Sequence, residues 1–236
     1  MPNKIYYPLM LNAEDKPCVI IGGGTVAERK AEALIEAGAH VTVISPECSP
    51  QLERWGQDGT ITIVYESYRF GLPQLNRAFL VFAATDKLEV NAAVRMEAES
   101  MGKLVNVADD SERSGFIVPA TVRRGKLLIS VSTAGASPAV ARKVKQELEL
   151  VFGQEYEEYL DLLQELRLLI QQVVSDTSER QDWFRRMLEW DLLPLIRLGR
   201  LLTDDRRELY QIIEGEPTSA GMERAKAWLQ NRLTSS

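Results

Sequence analysis

Gly22-Gly23-Gly24-Thr25-Val26-Ala27 follows directly on the apolar run Cys18-Val19-Ile20-Ile21. Ala27, Ala31, Leu34 and Ile35 then recur at helical spacing. The segment has the pattern G-x-G-x-x-A. Its first glycine permits a tight turn, its second lets backbone approach a pyrophosphate, and the alanine lets the helix pack closely on a sheet. The helix start supplies free N–H groups and the positive end of the helix dipole. A glycine triplet alone is an ordinary turn; between a strand and an amphipathic helix it points to dinucleotide binding. Gly22, Gly23, Gly24, Thr25 and Val26 are therefore candidate cofactor contacts. An acidic residue usually ends the second strand of such a unit and grips the ribose hydroxyls. Ser45-Pro46-Glu47 stands there instead, which leaves Glu47 or the backbone at Pro46 for that role. No Arg or Lys occupies this strand end, which disfavours the 2′-phosphate of NADP and favours NAD.

Two further strand ends carry candidates. Ala83-Ala84-Thr85-Asp86 has the small residues that suit a ribose or nicotinamide approaching Ala84, Thr85 and Asp86; the plainer reading is a strand-to-helix turn capped by Asp86. Asn106-Val107-Ala108-Asp109-Asp110 ends another strand. Neighbouring side chains on an extended strand face opposite ways, so one aspartate faces a strand-end cleft, and Asp109 is the candidate; the alternative is a turn cap. The chain has one histidine, His40. A histidine-based metal site or Ser-His-Asp triad is therefore excluded within one chain, and no metal ligands are expected. Proton chemistry falls to carboxylates, Lys, Tyr or Cys.

The net charge is −6, which argues weakly against nucleic acid as a partner. Locally the sign reverses. From Arg113 to Lys145 there are seven basic residues (Arg113, Arg123, Arg124, Lys126, Arg142, Lys143 and Lys145) and no Asp or Glu. This suits a substrate with several carboxylates; the plainer reading is a solvated basic face. Ser132-Thr133-Ala134-Gly135-Ala136-Ser137-Pro138 adds hydroxyls and a helix N-terminus. Asn106, Arg123, Arg124, Thr133, Ser137 and Arg142 are the candidate substrate contacts.

These residues need elements to hold them. Apolar runs at 18–21, 41–44, 61–65, 79–84 and 104–107 alternate with helical patterns, so residues 1–113 read as an α/β Rossmann-like domain, a doubly wound parallel sheet. Runs at 116–122 and 127–132, joined by Arg123-Arg124-Gly125-Lys126, read as a four-residue-turn hairpin. Ser137-Pro138 then starts a helix, serine as cap and proline first. This α+β unit, 114–150, is too small to stand alone and is expected to pair with its copy in a homodimer. Residues 151–236 read as a helical domain: Tyr159, Leu162, Leu163, Leu166, Ile170 and Val173 mark one apolar face, and Trp183, Phe184, Met187 and Leu188 start another. Glu216-Pro217-Thr218-Ser219 interrupts before a final helix.

No run approaches the roughly 18 apolar residues of a membrane helix, and the N-terminus lacks a secretory pattern. Cys18 and Cys48 form no paired motif and read as reduced thiols. A cytoplasmic protein with no membrane partner is expected.

Taken together, Ile20–Lys30, Ala83–Asp86, Asn106–Asp110 and Ser132–Pro138 resemble, in order and spacing over roughly residues 5 to 150, the precorrin-2 dehydrogenase/sirohydrochlorin ferrochelatase family. That family comprises the N-terminal part of bacterial siroheme synthases and its free-standing relatives. The resemblance implies NAD⁺, a homodimer, a catalytic aspartate at Asp109 and tetrapyrrole binding in a cleft between domains. It implies oxidation of precorrin-2 to sirohydrochlorin, with Fe²⁺ as a further substrate in those members that chelate. Some members carry serine at the Thr133 position. The methyltransferase half of the fused enzymes is not expected here, so precorrin-2 would arrive from a separate enzyme. Two other readings stand beside this one: a dehydrogenase of another acid and a non-catalytic NAD-binding sensor.

Overall fold

The computed structural model describes residues 5–108 and 110–234. Its contacts divide the chain into two compact units, 1–118 and 119–236.

In the first unit, β1 (Pro17–Ile21), β2 (His40–Ile44), β3 (Thr62–Val64), β4 (Leu80–Ala83) and β5 (Leu104–Val107) form one parallel sheet in the order β3-β2-β1-β4-β5. The helices between them are α1 (Thr25–Glu36), α2 (Pro50–Gln57), α3 (Pro73–Arg77) and α4 (Leu88–Ser100). Two-residue alternation sorts the strand side chains onto two covered faces. Cys18, Ile20, Val41, Val43 and Phe82 pack with Ala27, Ala31 and Leu34 of α1 and Leu52 of α2. Val19, Ile21, Val81 and Val105 pack with Leu75 of α3 and Val94 and Ala98 of α4. The doubly wound sheet expected from the sequence is present. The strand order reverses between β1 and β4, and ligands of such sheets bind beyond the strand ends at that switch point.

The second unit opens with β6 (Ala120–Arg124) and β7 (Leu127–Val131), an antiparallel pair in which Arg124 faces Leu127. The connection is therefore two residues, Gly125-Lys126, not the four expected. Gly125 has φ +52°, the sign a first central residue of a type II′ turn requires, and this lets pairing run on through both arginines. Residues 116–119 are not strand either: the Phe116 ring packs edge-on against Phe82, centroids 5.5 Å apart, in the core of the first unit.

Helices follow: α5 (Pro138–Val151), α6 (Glu155–Val173), α7 (Thr177–Arg186), α8 (Leu192–Arg197), α9 (Thr203–Gly215) and α10 (Ser219–Thr234). Ser137 caps α5 by accepting from the Val140 N–H. The face predicted on α6 is the buried one: Leu162, Leu166 and Ile170 meet Trp183, Met187, Leu195, Leu209 and Leu229. Leu188 departs from expectation and is exposed, because the helix tightens into a 3₁₀ turn at Met187–Glu189 and the 3.6-residue period lapses. The contacts group the hairpin and α5 with these helices.

Candidate functional site

The three glycines do three different jobs. Gly22 has φ +120°, and a Cβ there would lie 2.3 Å from the Ala84 carbonyl oxygen. Its N–H donates to the Ile44 carbonyl at 3.0 Å, so the ends of β1, β2 and β4 close together around it. A Cβ on Gly23 would lie 2.0 Å from the Glu47 carbonyl oxygen and 2.8 Å from Ser45 Oγ. Gly24 is the N-cap of α1, with no side chain capping it, and a Cβ there would meet nothing within 4 Å. Two glycines thus let backbones touch, and the third opens onto space at a helix N-terminus. The first helical bond of α1 is Glu28 N–H to the Gly24 carbonyl, which leaves the N–H groups of Thr25, Val26 and Ala27 without an intrahelical acceptor. Such an edge fits the pyrophosphate of a dinucleotide. Thr25 is exposed, Val26 half-buried and Ala27 fully buried against the sheet.

Beyond β2 the loop 45–49 folds over Gly23, with the Ser49 N–H donating to the Gly23 carbonyl at 2.8 Å. Ser45 is buried and donates its hydroxyl to the Glu47 carbonyl at 2.6 Å. Pro46 and Glu47 are exposed. Ser49 donates to a Glu28 carboxylate oxygen at 2.6 Å. Cys48 in the same loop is half-buried; burial, and then the nearby Glu53 carboxylate, raise its thiol pKa. Cys18 in β1 is fully buried, and that burial pushes its thiol up to about 11. Both are free thiols.

On the other side of the switch point, the Ala84 N–H donates to the Ile21 carbonyl at 2.8 Å. Thr85 is anchored by the buried Asn91 of α4. Asn91 Oδ1 accepts from the Thr85 N–H and hydroxyl, and its Nδ2 donates to the Thr85 carbonyl. Asp86 is exposed, and the residue capping α4 is Lys87, not Asp86. Spacing along the chain gave no sign of Asn91, since it acts across a turn of the fold.

At the end of β5, Asn106 is buried and donates to the Phe116 carbonyl at 2.9 Å. The strand ends at Val107, and the Asp110 N–H returns to the Val107 carbonyl in a turn. Asp109 itself lies outside the described residues. Asp110 accepts from the Arg113 N–H at 2.9 Å and pairs with its guanidinium at 3.4 Å. Ser114, buried, accepts from the Val107 N–H and donates to the Asp110 carbonyl. A cavity of about 120 Å³ opens here between α4 and this turn, among Asn91, Arg95, Val107, Asp110 and Arg113.

The basic residues of the second unit divide by partner. Arg124 donates to the carbonyls of Phe152 and Arg123. Lys126 pairs with Asp161, Lys143 with Glu147 and Lys145 with Glu149. Arg123 and Arg142 are exposed, and their guanidinium groups have no ion pair among the described residues. Thr133 and Ser137 bond each other: Thr133 Oγ1 accepts from the Ser137 N–H and donates to its carbonyl. The loop between them is turned by positive φ at Ala134 (+51°) and Gly135 (+87°). Among the described residues no group of three or more His, Cys, Asp or Glu could hold a metal ion, and no helix is long and apolar enough to cross a membrane.

Comparison with known proteins agrees with this geometry. Residues 9–120 match an NAD(P)-binding family model, and residues 124–149 match the model of the sirohaem biosynthesis protein central region. Siroheme synthase 1 of Aeromonas salmonicida (strain A449) is 36% identical over 197 residues, covering 84% of this chain and 41% of the relative. Siroheme synthase 2 of Serratia proteamaculans (strain 568) is 32% identical over 216 residues, covering 92% and 46%. The chain thus spans less than half the length of these relatives. A solved structure, SirC, precorrin-2 dehydrogenase, superposes with a TM-score of 0.73 at 26% identity, covering 89% of this chain and 100% of that one. On the two models, the relatives and the shared fold, the chain is similar to siroheme synthases and to a precorrin-2 dehydrogenase over most of its length.

Proposed function

We propose that this chain oxidises precorrin-2 to sirohydrochlorin with NAD⁺ as electron acceptor. The observation that carries the reading is the open edge at Gly24, set at the switch point of a parallel sheet, in a chain that covers the whole of a precorrin-2 dehydrogenase. The substrate loses two electrons and two hydrogens, one as hydride and one as a proton. NAD⁺, when bound, supplies the hydride acceptor. The chain does the rest. The N–H groups at the start of α1 hold the pyrophosphate, and Ala84, Thr85 and Asp86 line the neighbouring strand end. Asp109 is the group we assign to take the proton from a ring carbon or pyrrole nitrogen, since His40 lies at the opposite end of β2 and no other histidine exists. Arg123 and Arg142, which have no ion pair among the described residues, hold substrate carboxylates, with Thr133, Ser137 and Asn106 as the further contacts. Arg124, already bonded to two carbonyls, contributes less.

The active form we propose is a homodimer built through the hairpin and α5. No residue of α5 is buried, Val140, Leu150 and Val151 on it are exposed, and only Val122 of the hairpin strands is buried. A unit with so little core of its own needs a partner surface. Free thiols accord with a cytoplasmic location.

The test is spectroscopic. Precorrin-2 and NAD⁺ with the protein should give the sirohydrochlorin spectrum together with NADH. Dinucleotide binding without turnover would favour the sensor reading. Adding Fe²⁺ to the same cuvette tests chelation as a second activity, in which Asp109 would strip the pyrrole protons.

A further inference from the structure

The dinucleotide fingerprint lacks its acid at the end of β2, and the structure supplies another acid nearby. The residue that follows β2, Ser45, cannot take the acid's place as an acceptor site of its own choosing, because it is buried and its hydroxyl is committed to the Glu47 carbonyl. Across the gap, Glu28 stands in the first turn of α1. Its carboxylate accepts from Ser49 Oγ at 2.6 Å. Ser49 is itself the N-cap of α2 and is tied by its N–H to the Gly23 carbonyl. A carboxylate is thereby pinned between the glycine turn and the loop after β2, where the adenosine ribose of a dinucleotide lies in folds of this kind. A single Ser–Glu hydrogen bond so placed has no core-packing role: Glu28 is only half-buried.

We infer that Glu28 is the specificity-determining acid of this site: it replaces the missing strand-end acid and excludes the 2′-phosphate of NADP⁺ by like charge. The inference rests on the dinucleotide reading of this edge. Lys30 reaches over the Phe82 ring, 5.9 Å from its centroid, and Arg29 is exposed about 100° round the helix from Glu28. Glu47, the acid nearest in sequence to the strand end, has an exposed side chain, and its backbone carbonyl meets the glycine turn.

The experiment is calorimetric titration of the full chain with NAD⁺ and with NADP⁺, for wild type, Glu28→Gln, Ser49→Ala and Glu47→Gln. Wild type should prefer NAD⁺. Glu28→Gln should tighten NADP⁺ by about ten-fold, the size expected for removing one like charge at short range near a protein surface, while NAD⁺ changes by less. Ser49→Ala keeps the charge but frees it, and should shift the ratio of the two dissociation constants partway in the same direction. An unchanged ratio in Glu28→Gln overturns the inference, as does a ratio that relaxes in Glu47→Gln alone. A wild type that binds neither dinucleotide overturns the reading beneath it, and does so before any variant is compared.

Discussion

Asn91 and Thr85 are locked together by three hydrogen bonds: Asn91 Oδ1 takes the Thr85 N–H at 3.1 Å and its hydroxyl at 2.8 Å, and Asn91 Nδ2 gives to the Thr85 carbonyl at 3.0 Å. The first turn of α4 thereby holds the wall that follows β4, one residue beyond the carbonyl that presses on Gly22. Asn91→Ala leaves the backbone of a half-buried turn without partners and should cost about 1–3 kcal/mol of stability. NAD⁺ affinity should fall with it, as the Thr85 backbone loosens. Urea denaturation and calorimetry on the same sample check both. Asn91→Asp, which keeps the acceptor and loses the donor, should not restore wild-type stability.

The glycines should separate folding from binding. Gly22→Ala and Gly23→Ala force a Cβ against backbone carbonyls, and Gly22 adds a positive φ that alone costs on the order of 1–3 kcal/mol. Both should lower the melting temperature markedly. Gly24→Asp meets open space and an ordinary backbone conformation. It should melt near wild type yet lose NAD⁺, because its carboxylate would face the pyrophosphate. A Gly24→Asp protein that still binds NAD⁺ with wild-type affinity removes the site.

Arg123→Ala and Arg142→Ala should raise the Michaelis constant for the tetrapyrrole more than that for NAD⁺. The lost contact is a charge-assisted hydrogen bond, roughly 1.5–3 kcal/mol if ligand binding buries it. Arg124→Ala should act mainly on stability, since its guanidinium ties β6 to the end of α5 through the Phe152 carbonyl. If neither Arg123 nor Arg142 alters tetrapyrrole affinity in steady-state kinetics, these residues do not hold its carboxylates.

Asp109→Ala should fold normally, bind NAD⁺ nearly as wild type does and lose roughly 10²–10⁴-fold in turnover, the usual contribution of a general base. Asp110→Ala should be milder on turnover, because its carboxylate is engaged by Arg113. Turnover of the two variants at saturating substrate decides. Loss in Asp110→Ala with none in Asp109→Ala would move the base by one residue, and full activity in both would leave the proton to another group.

The bare α5 and the thin hairpin predict a dimer in solution. Light scattering at micromolar concentration should give twice the chain mass, and Val140→Asp with Leu150→Asp, placed on exposed positions of α5, should shift it toward monomer without unfolding it. A wild type that scatters as a monomer contradicts the dimer.

The amino-acid order by itself determined whatever depends on neighbours along the chain. Gly22 to Ala27 sit between an apolar run and a helical period, so the strand, turn and helix, and with them the dinucleotide edge, are legible in the sequence alone. The alternation of short apolar runs with helices specified the parallel sheet for the same reason, as did the single histidine for the kind of proton chemistry left open. Relations between segments distant in sequence were decided only by the tertiary structure. Glu28 meets Ser49 across 21 residues, and the role of each glycine depends on which carbonyl, of Ala84 or of Glu47, another strand end brings against it. The basic window reads as one cluster in sequence, yet folding pairs Lys126 with Asp161 and leaves Arg123 and Arg142 without an ion pair among the described residues. Hydrogen bonds and ion pairs act over a few ångströms, and which groups come that close is set by how the helices pack on the sheet and on each other, a quantity that spacing along the chain does not carry.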